Sequence, residues 1–279
     1  MGNIGRTLMK STKGCEIEII CTGQEILYGR IVDTNSAWIS KQATEHGAVM
    51  QRIVCVGDDV DEIKREVREG IVHGYDLILT TGGLGPTADD VTIEAVSEAV
   101  GLRVVLDEGA IAILRRRLEE RSKTQRTTLE LTSRRLKMAT MVEGAIPIDN
   151  PVGLAPGMEL KVGKTLIVSL PGVPDEMKAI FETHTLPIID KMSTRKTAAK
   201  TIRIALSGEA MALAIREIEK TFPLVYLKTY AADIIADLGM RTDIVVEGSS
   251  DEECQRIIQK VLDTIASSVV ARGGTWRME

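Results

Sequence analysis

Short apolar runs recur through the first two thirds of the chain, and each is followed by polar residues and then by a helical pattern. The clearest runs are residues 16–21, 49–56 and 77–79. Between the second and third runs, Ile63, Val67 and Ile71 fall on one face of a predicted helix. Buried strands that alternate with amphipathic helices are typical of a mostly parallel sheet with helices on both faces. The sequence therefore predicts an α/β fold for this part of the chain.

The pattern changes beyond residue 190. Residues 191–200 are polar and predict a linker, and a β-α-β-β-α order follows, with strands at 201–206, 225–230 and 242–247 and helices at 209–221 and 251–267. This order is typical of a small α+β unit of ferredoxin-like or KH-like type. We therefore divide the chain into a tail (1–14), an α/β domain (15–190) and a small α+β domain (191–279). The G-x-x-G loop with which KH modules hold RNA does not occur at a strand–helix junction here, so we expect a packing or dimerisation role.

The most informative junction is residues 76–92, D-L-I-L-T-T-G-G-L-G-P-T-A-D-D-V-T. It predicts a strand, a glycine-rich loop and then a helix that begins near Ala88 or Asp89. Gly82, Gly83 and Gly85 can adopt backbone conformations in which successive N–H groups converge on an oxyanion. The positive end of the helix dipole adds to this attraction. The junction therefore predicts a phosphate-binding site.

Carboxylates occur just after this loop and after the two earlier predicted strands. Asp89 and Asp90 sit at the predicted helix start, where one acid would cap the helix, or where an acid would hold a divalent cation against a bound phosphate. We favour the cation role for Asp90. Asp58 comes just after a strand, at the edge of the sheet where α/β proteins bind ligands. Asp33 and Asn35 precede a helix, for which either could supply the N-cap.

Composition narrows the function classes. The formal net charge is −5, and four scattered cysteines and three isolated histidines favour neither a disulfide framework nor a zinc site. A general nucleic-acid binder is not expected from this charge. No segment has the length of a membrane span, and residues 1–14 lack the apolar core of a signal peptide, so we expect a cytoplasmic protein without a membrane partner. The many arginines of residues 107–137 are interpreted mainly as a solvent-exposed helical face, from which one or two could reach a ligand's phosphates.

Five motifs, in order, carry a resemblance to a known family. They are T-G-Q-E-I-L-Y-G-R-I-V-D-T-N (22–35), V-G-D-D (56–59), T-T-G-G-L-G-P-T-A-D-D-V-T (80–92), N-P-V-G-L-A-P-G (150–157) and L-P-G-V-P-D-E-M (170–177). Together they resemble the N-terminal domain of the competence/damage-inducible protein A (CinA) family, which shares the molybdopterin-binding fold of MoaB and MogA. The resemblance implies a three-layer α/β/α domain with its ligand pocket at the strand ends. The small C-terminal domain resembles the KH-like domain of the same family, with weaker motifs.

The resemblance also implies an activity. CinA-type members are described as pyrophosphatases that split ADP-ribose into AMP and ribose 5-phosphate with a divalent metal, here Mg, Mn or Co. By this resemblance, Asp58 and Asp90 hold the metal and are catalytic, with Asp33 as a further acid that orients the attacking water and Glu25 as a weaker candidate for that role. The ligand-binding residues implied are the loop and pocket residues Thr81, Gly82, Gly83, Gly85, Pro86, Thr87, Asn150 and Gly172.

Other readings of the same residues stay open. A protein of this fold could instead bind or adenylylate a molybdopterin-like ligand, and both readings predict a phosphate at the glycine loop. A module without catalysis, in which the glycines form turns and the acids cap helices, is a third. RNA binding through the C-terminal unit and the arginine-rich helices is a fourth and is not favoured. The deamidase domain that follows in many bacterial CinA proteins is not expected, and the resemblance implies a homo-oligomer whose size the sequence does not decide.

Overall fold

A computed structural model describes residues 13–126, 129–222, 225–235 and 239–279. The predicted tail, residues 1–14, lies outside the described residues except for Lys13 and Gly14. The chain forms two compact units. The larger is built on Cys15–Thr44 and Ala48–Lys191, and the smaller mainly on Met192–Glu279.

The larger unit alternates strands and helices in the way the apolar runs predicted. Its strands are β1 (Glu16–Thr22), β2 (Val49–Val56), β3 (Leu77–Thr81), β4 (Val104–Leu106), β5 (Thr140–Val142), β6 (Ile146–Ile148), β7 (Gly157–Val162) and β8 (Thr165–Leu170). Its helices are α1 (Gln24–Leu27), α2 (Thr34–Glu45), α3 (Val60–His73), α4 (Thr92–Val100), α5 (Glu108–Gln125), α6 (Ser133–Leu136), α7 (Pro174–Ile180) and α8 (Leu186–Met192). A 3₁₀ turn (Lys137–Ala139) follows α6, and a π-helical turn (Phe181–Thr185) joins α7 to α8.

One six-stranded sheet organises this unit, in the order β2-β1-β3-β8-β7-β6. The first four strands are parallel, and β7 and β6 are antiparallel additions at one side. Every residue of β3 and β8 is buried, because helices and loops cover both faces of the sheet. Strands β4 and β5 form a separate antiparallel pair. The predicted α/β class with a mostly parallel sheet is confirmed.

The smaller unit has the order β-α-β-β-α-β. Its elements are β9 (Lys196–Ala205), α9 (Gly208–Thr221), β10 (Tyr226–Ile235), β11 (Gly239–Gly248), α10 (Asp251–Ala271) and β12 (Thr275–Met278). The antiparallel sheet order is β10-β11-β9-β12, which is the ferredoxin-like arrangement of a split β-α-β unit. The predicted small α+β unit is thus confirmed.

One prediction about the smaller unit is corrected, and one of its strands was missed. Residues 196–200, part of the predicted linker, form the beginning of β9, since β11 provides their hydrogen-bonding partners from Ile244 to Gly248. Strand β12 was not predicted. Its Trp276 packs against the core of this unit, and its backbone pairs with β9. In the described part of the chain, no helix is both long enough and apolar enough to cross a membrane.

Candidate functional site

A cavity of about 570 Å³ opens where the carboxyl ends of β1, β2, β3 and β8 meet. Each of these strands delivers residues to its wall: Thr22 and Gly23 from β1, Asp58 after β2, the glycine loop after β3, and Pro171 and Gly172 after β8. Parallel strands all end at the same edge, so their following loops converge there. The volume lies in the range of small-molecule sites in proteins. This edge is the candidate functional site.

The glycine loop has a shape that other residues would not accept. Gly82 has φ 110° and Gly83 has φ 67°, both in the region that favours glycine. A Cβ at Gly82 would lie 2.5 Å from the carbonyl oxygen of Thr22, and one at Gly83 would overlap the Thr92 hydroxyl. That hydroxyl donates a hydrogen bond of 2.8 Å to the Gly82 carbonyl and fixes the loop against the following helix. Gly82, Gly83, Gly85 and Pro86 all line the cavity.

The helix after the loop begins later than predicted. Helix α4 begins at Thr92, not near Ala88 or Asp89, and its N-cap residue, Val91, makes no side-chain cap. The reason is a turn closed by Asp90, whose Oδ2 accepts hydrogen bonds from the Thr87 N–H at 2.7 Å and from the Thr87 hydroxyl at 2.5 Å. The capping interpretation of Asp89 is therefore wrong. Thr87 is not in the cavity wall and instead holds this turn.

Three aspartates face the cavity, namely Asp58, Asp89 and Asp90. Asp58 Oδ2 accepts a hydrogen bond of 2.9 Å from the Gln24 N–H. Burial raises the pKa of Asp58, and the carboxylates of Glu25, Asp89 and Asp90 raise it further, although the Gln24 hydrogen bond lowers it. In contrast, the Thr87 hydroxyl lowers the pKa of Asp89 when it donates its one hydrogen to that carboxylate instead of to Asp90. Asp58 thus lies close enough to Glu25, Asp89 and Asp90 for their negative charges to interact.

The chemistry of these donors suits a divalent cation that a ligand helps to hold. Within the described ranges, no three or more His, Cys, Asp or Glu side chains form a ready metal cluster. Magnesium, however, is commonly bound by one or two carboxylates, with phosphate oxygens completing its ligands. Asp58 and Asp90, the predicted pair, both line the cavity. Their carboxylates fit this kind of site.

Two arginines line the same cavity, Arg121 from α5 and Arg135 from α6. Their neighbours on α5 do not reach it: Arg116 and Arg117 pair with Asp149, and Arg117 also pairs with Glu120. The Arg121 side chain makes no hydrogen bond or ion pair with the rest of the described chain. The arginine-rich region thus presents two cations to the cavity, while its other described side chains lie outside the cavity wall.

Asp33 lies apart from the other acids. Its Oδ1 accepts a hydrogen bond of 2.9 Å from the Ser36 N–H, which is the N-cap role for α2. It lines a neighbouring cavity of about 100 Å³, together with Thr81 and Asn35. Thr81 is buried there and accepts a hydrogen bond of 3.1 Å from the Asn35 amide. The structure therefore does not bring Asp33 or Thr81 into the main cavity, whereas Glu25 lines both cavities.

Asn150 supports the site without lining it. It is fully buried, its Nδ2 donates to the Ala155 carbonyl at 2.8 Å and to Glu176 at 2.6 Å, and its Oδ1 accepts from the Gly153 N–H at 2.8 Å. The predicted lining role is therefore corrected, because this buried amide holds the loop that carries Leu154 and Ala155 to the cavity and joins it to Glu176 of α7. Glu176, which lines the cavity, was not among the predicted site residues. Its position could have identified it as a site residue, because Glu176 lies in the first turn of the helix after β8, at the same edge of the sheet as the glycine loop.

Comparison with known proteins gives a consistent picture. Residues 18–191 match the family described as a probable molybdopterin binding domain. A protein of Aeropyrum pernix is 35% identical over 263 residues, which cover 92% of this chain and 94% of that protein. A putative competence-damage inducible protein of Halothermothrix orenii is 34% identical over 253 residues, which cover 90% of this chain and 58% of that protein.

A solved structure points the same way. The protein CinA of Thermoplasma acidophilum, whose function is unknown, shares 39% identity with a TM-score of 0.56, and the match covers 62% of this chain and 98% of that one. The family match falls on the unit that carries the cavity. The chain therefore belongs to the family of molybdopterin-binding domains, and among them it is CinA-like, as its five motifs indicated.

Proposed function

We propose that this protein hydrolyses the diphosphate bond of ADP-ribose or a related dinucleotide, giving AMP and a sugar phosphate, with a divalent metal such as Mg, Mn or Co. One observation carries the proposal. A single cavity is lined by the glycine loop, by the three aspartates Asp58, Asp89 and Asp90, and by Arg121 and Arg135.

These groups favour ligands of opposite charge. The loop N–H groups and the two arginines favour an anion, whereas the aspartates repel one. A diphosphate that arrives with a divalent cation satisfies both sets of groups, because carboxylates and phosphate oxygens are together suited to hold such a cation. An anion without a metal satisfies only the loop and the arginines, and a neutral ligand satisfies neither set. This balance supports a metal-dependent reaction at a diphosphate.

Each group then has a role. Asp58 and Asp90 would hold the cation, which would supply Lewis-acid stabilisation of phosphate charge and activation of an attacking water. The loop of Gly82, Gly83 and Gly85 would bind one phosphoryl group through its backbone. Arg121 and Arg135 would neutralise charge that develops on the departing phosphate. Glu25 lines both cavities and is better placed than Asp33 to orient the water.

The test is release of AMP from ADP-ribose and from FAD by the purified protein, with Mg²⁺, Mn²⁺ or Co²⁺ and with the metal chelated. The Asp90→Asn variant keeps the size of the side chain and the acceptor for the Thr87 N–H but removes the charge. We expect its turnover to fall by about two orders of magnitude or more, the usual scale for loss of a group that stabilises the transition state. Asp61→Asn is the matched control, since Asp61 is an exposed partner of Lys64 on α3. Equal turnover in the two variants would contradict the assignment of Asp90.

The family that matches residues 18–191 is described as a probable molybdopterin binding domain, and this match favours a second function. In that case the same loop would hold the phosphate of a pterin, and hydrolysis would not be the activity. Absence of AMP release with all three metals, together with a rise in the unfolding temperature on adding a pterin phosphate, would favour this alternative.

A further inference from the structure

Glu176 presents a carboxylate to the main cavity, and the proposed reaction gives it no role. It lies in the first turn of α7 and is half-buried in the cavity wall. A glutamate at this position of a helix often accepts a hydrogen bond from the N–H of the residue before the helix. Glu176 instead accepts one of 2.6 Å from the Asn150 amide. Within the described part of the chain it forms no ion pair, so its charge is not neutralised by a neighbouring side chain.

The position of this carboxylate is fixed by Asn150, which is fully buried. Besides its bond to Glu176, the Asn150 amide donates to the Ala155 carbonyl and accepts from the N–H groups of Val152 and Gly153. Both of its donor hydrogens and its acceptor oxygen are thus used. A Cβ at Gly153 would lie 2.0 Å from the Glu176 carboxyl carbon, so only glycine leaves room for the carboxylate there. Glu176 is therefore held in place before any ligand binds, as is typical of binding residues.

The wall that carries Glu176 begins against the glycine loop. Gly172, in the connection from β8 to α7, packs so closely on the loop that a Cβ there would lie 3.3 Å from the Gly82 Cα. Glu176 follows only four residues later and faces the same cavity. When a ligand's phosphate occupies the loop, the group joined directly to that phosphate is therefore the part best placed to contact Glu176.

The chemistry of Glu176 restricts what that group can be. An ionised carboxylate only accepts hydrogen bonds, and it repels a phosphate. Its partner in a bound ligand is therefore a donor, and hydroxyl groups are the neutral donors that sit next to a phosphate in a sugar phosphate. Two adjacent hydroxyls suit the two oxygens of one carboxylate, and acidic side chains hold ribose hydroxyls in dinucleotide sites. In ADP-ribose and in AMP, each phosphate chain ends on a ribose.

We propose that Glu176, positioned by Asn150, binds the adjacent hydroxyls of the ribose whose phosphate lies on the glycine loop. The inference rests on the proposed function for its ribose phosphate ligand, but it does not require hydrolysis. Glu176 is then the residue that selects a ribose over a sugar without these hydroxyls. Such selection is strong, because an analogue that lacks the hydroxyls leaves the carboxylate without its hydrogen-bond partners.

The experiment compares two ligands that differ only in these hydroxyls, AMP and 2′,3′-dideoxy-AMP. Titration calorimetry measures both, with Mg²⁺ and with the metal chelated. Glu176→Gln keeps the size of the side chain and an acceptor for the Asn150 amide but removes the charge. Glu182→Gln is the matched control, because Glu182 is exposed on the π-helical turn and lines neither the main cavity nor its neighbour. Thermal unfolding checks that the variants are folded. If Glu176→Gln is not, Glu176→Asp, which draws the carboxylate back by one methylene, takes its place.

We expect the native protein to bind AMP more tightly than the dideoxy analogue by about tenfold or more, equivalent to about 1.4 kcal/mol, with or without the metal. In the Glu176 variant this ratio should fall to about threefold or less, because the hydrogen bonds to a charged acceptor are lost or weakened. The Glu182 variant should keep the native ratio.

Three results would overturn the inference. The first is a native protein that binds neither ligand or binds both equally, and the second is an unchanged ratio in the Glu176 variant. The third is an equal loss of both ligands in that variant with Mg²⁺ only, which would make Glu176 a metal ligand. AMP release from ADP-ribose is measured separately. A protein that prefers AMP but releases none from ADP-ribose would refute only the proposed activity, whereas AMP release without this preference would refute only the role of Glu176.

Discussion

Replacing Gly83 by alanine tests whether the shape of the loop depends on the contact with Thr92. Gly83 has φ 67°, and an L-residue in this region costs about 1–2 kcal/mol. The added Cβ would also overlap the Thr92 hydroxyl, which donates a hydrogen bond of 2.8 Å to the Gly82 carbonyl. Thr92 is fully buried, so displacing its hydroxyl costs about 1 kcal/mol more. The expected loss in free energy of unfolding is about 2–3 kcal/mol.

Gly101 provides the matched control. It has φ 71°, it ends α4, and a Cβ there would meet no atom within 4 Å. Gly101→Ala therefore carries the backbone strain alone. The difference between the two variants isolates the contact with Thr92 and should be about 1 kcal/mol.

Denaturant unfolding monitored by circular dichroism measures both variants beside the native protein. Adding Thr92→Ala to the Gly83 variant removes the overlap, so the double variant should lose less than the sum of the two single losses. Equal stability of the Gly83 and Gly101 variants would refute the reasoning. Strict additivity with Thr92→Ala would show that the overlap is not the cause.

Two other predictions concern charge. Arg121→Gln should lower kcat/KM for the diphosphate substrate by roughly three- to tenfold, because it removes a cation that neutralises charge developing on the departing phosphate. The loss should be larger at low salt, where an exposed cation is screened less by ions. Arg115→Gln, outside the cavity, should leave kcat/KM unchanged, and an equal loss in both variants would contradict the placement. Glu18 is fully buried beside Arg52, and burial raises its pKa above the ordinary value of 4.5, although the Arg52 guanidinium lowers it. The stability that the raised pKa contributes is present below pH 4.5 and is lost as pH rises through the raised pKa. Because glutamine does not titrate, the unfolding temperature of Glu18→Gln relative to that of the native protein should rise as the pH increases above 4.5; a constant difference across pH would contradict this.

The sheet and its ligand edge could be predicted because they follow from local pattern. Buried parallel strands such as β3 and β8 have few alternatives to a central position, and the loops after parallel strands meet at one edge. The sequence therefore placed Asp58, Asp90 and Gly172 at the edge where the structure has its main cavity. Their roles at that edge remain predictions.

Other features depend on contacts between distant residues. The face of α5 that carries Leu114 and Leu118 packs inward, where both residues are buried in the core. This packing decides which arginines of α5 face the cavity. The turn that delays α4 depends on Asp90 bonding back to Thr87, an alternative to helix capping that the same residues allow. Likewise, the motif that contains Asn150 does not show whether its amide is buried or contacts a ligand, because the residue is an asparagine in both cases. These outcomes were decided by packing and by competition between hydrogen bonds.

The glycine loop forms a wall of the main cavity and is itself held by Thr92. A change in its shape should therefore weaken every phosphate-bearing ligand, with or without a metal. Loss of charge at Asp90 should act only on binding that needs the cation. Comparing AMP binding with Mg²⁺ present and with the metal chelated, in the Gly83 and Asp90 variants, thus separates the contributions of backbone and cation to one binding event. If both variants weakened AMP binding by the same factor under both conditions, the site would behave as one undivided surface, and the assignment of distinct roles would fail.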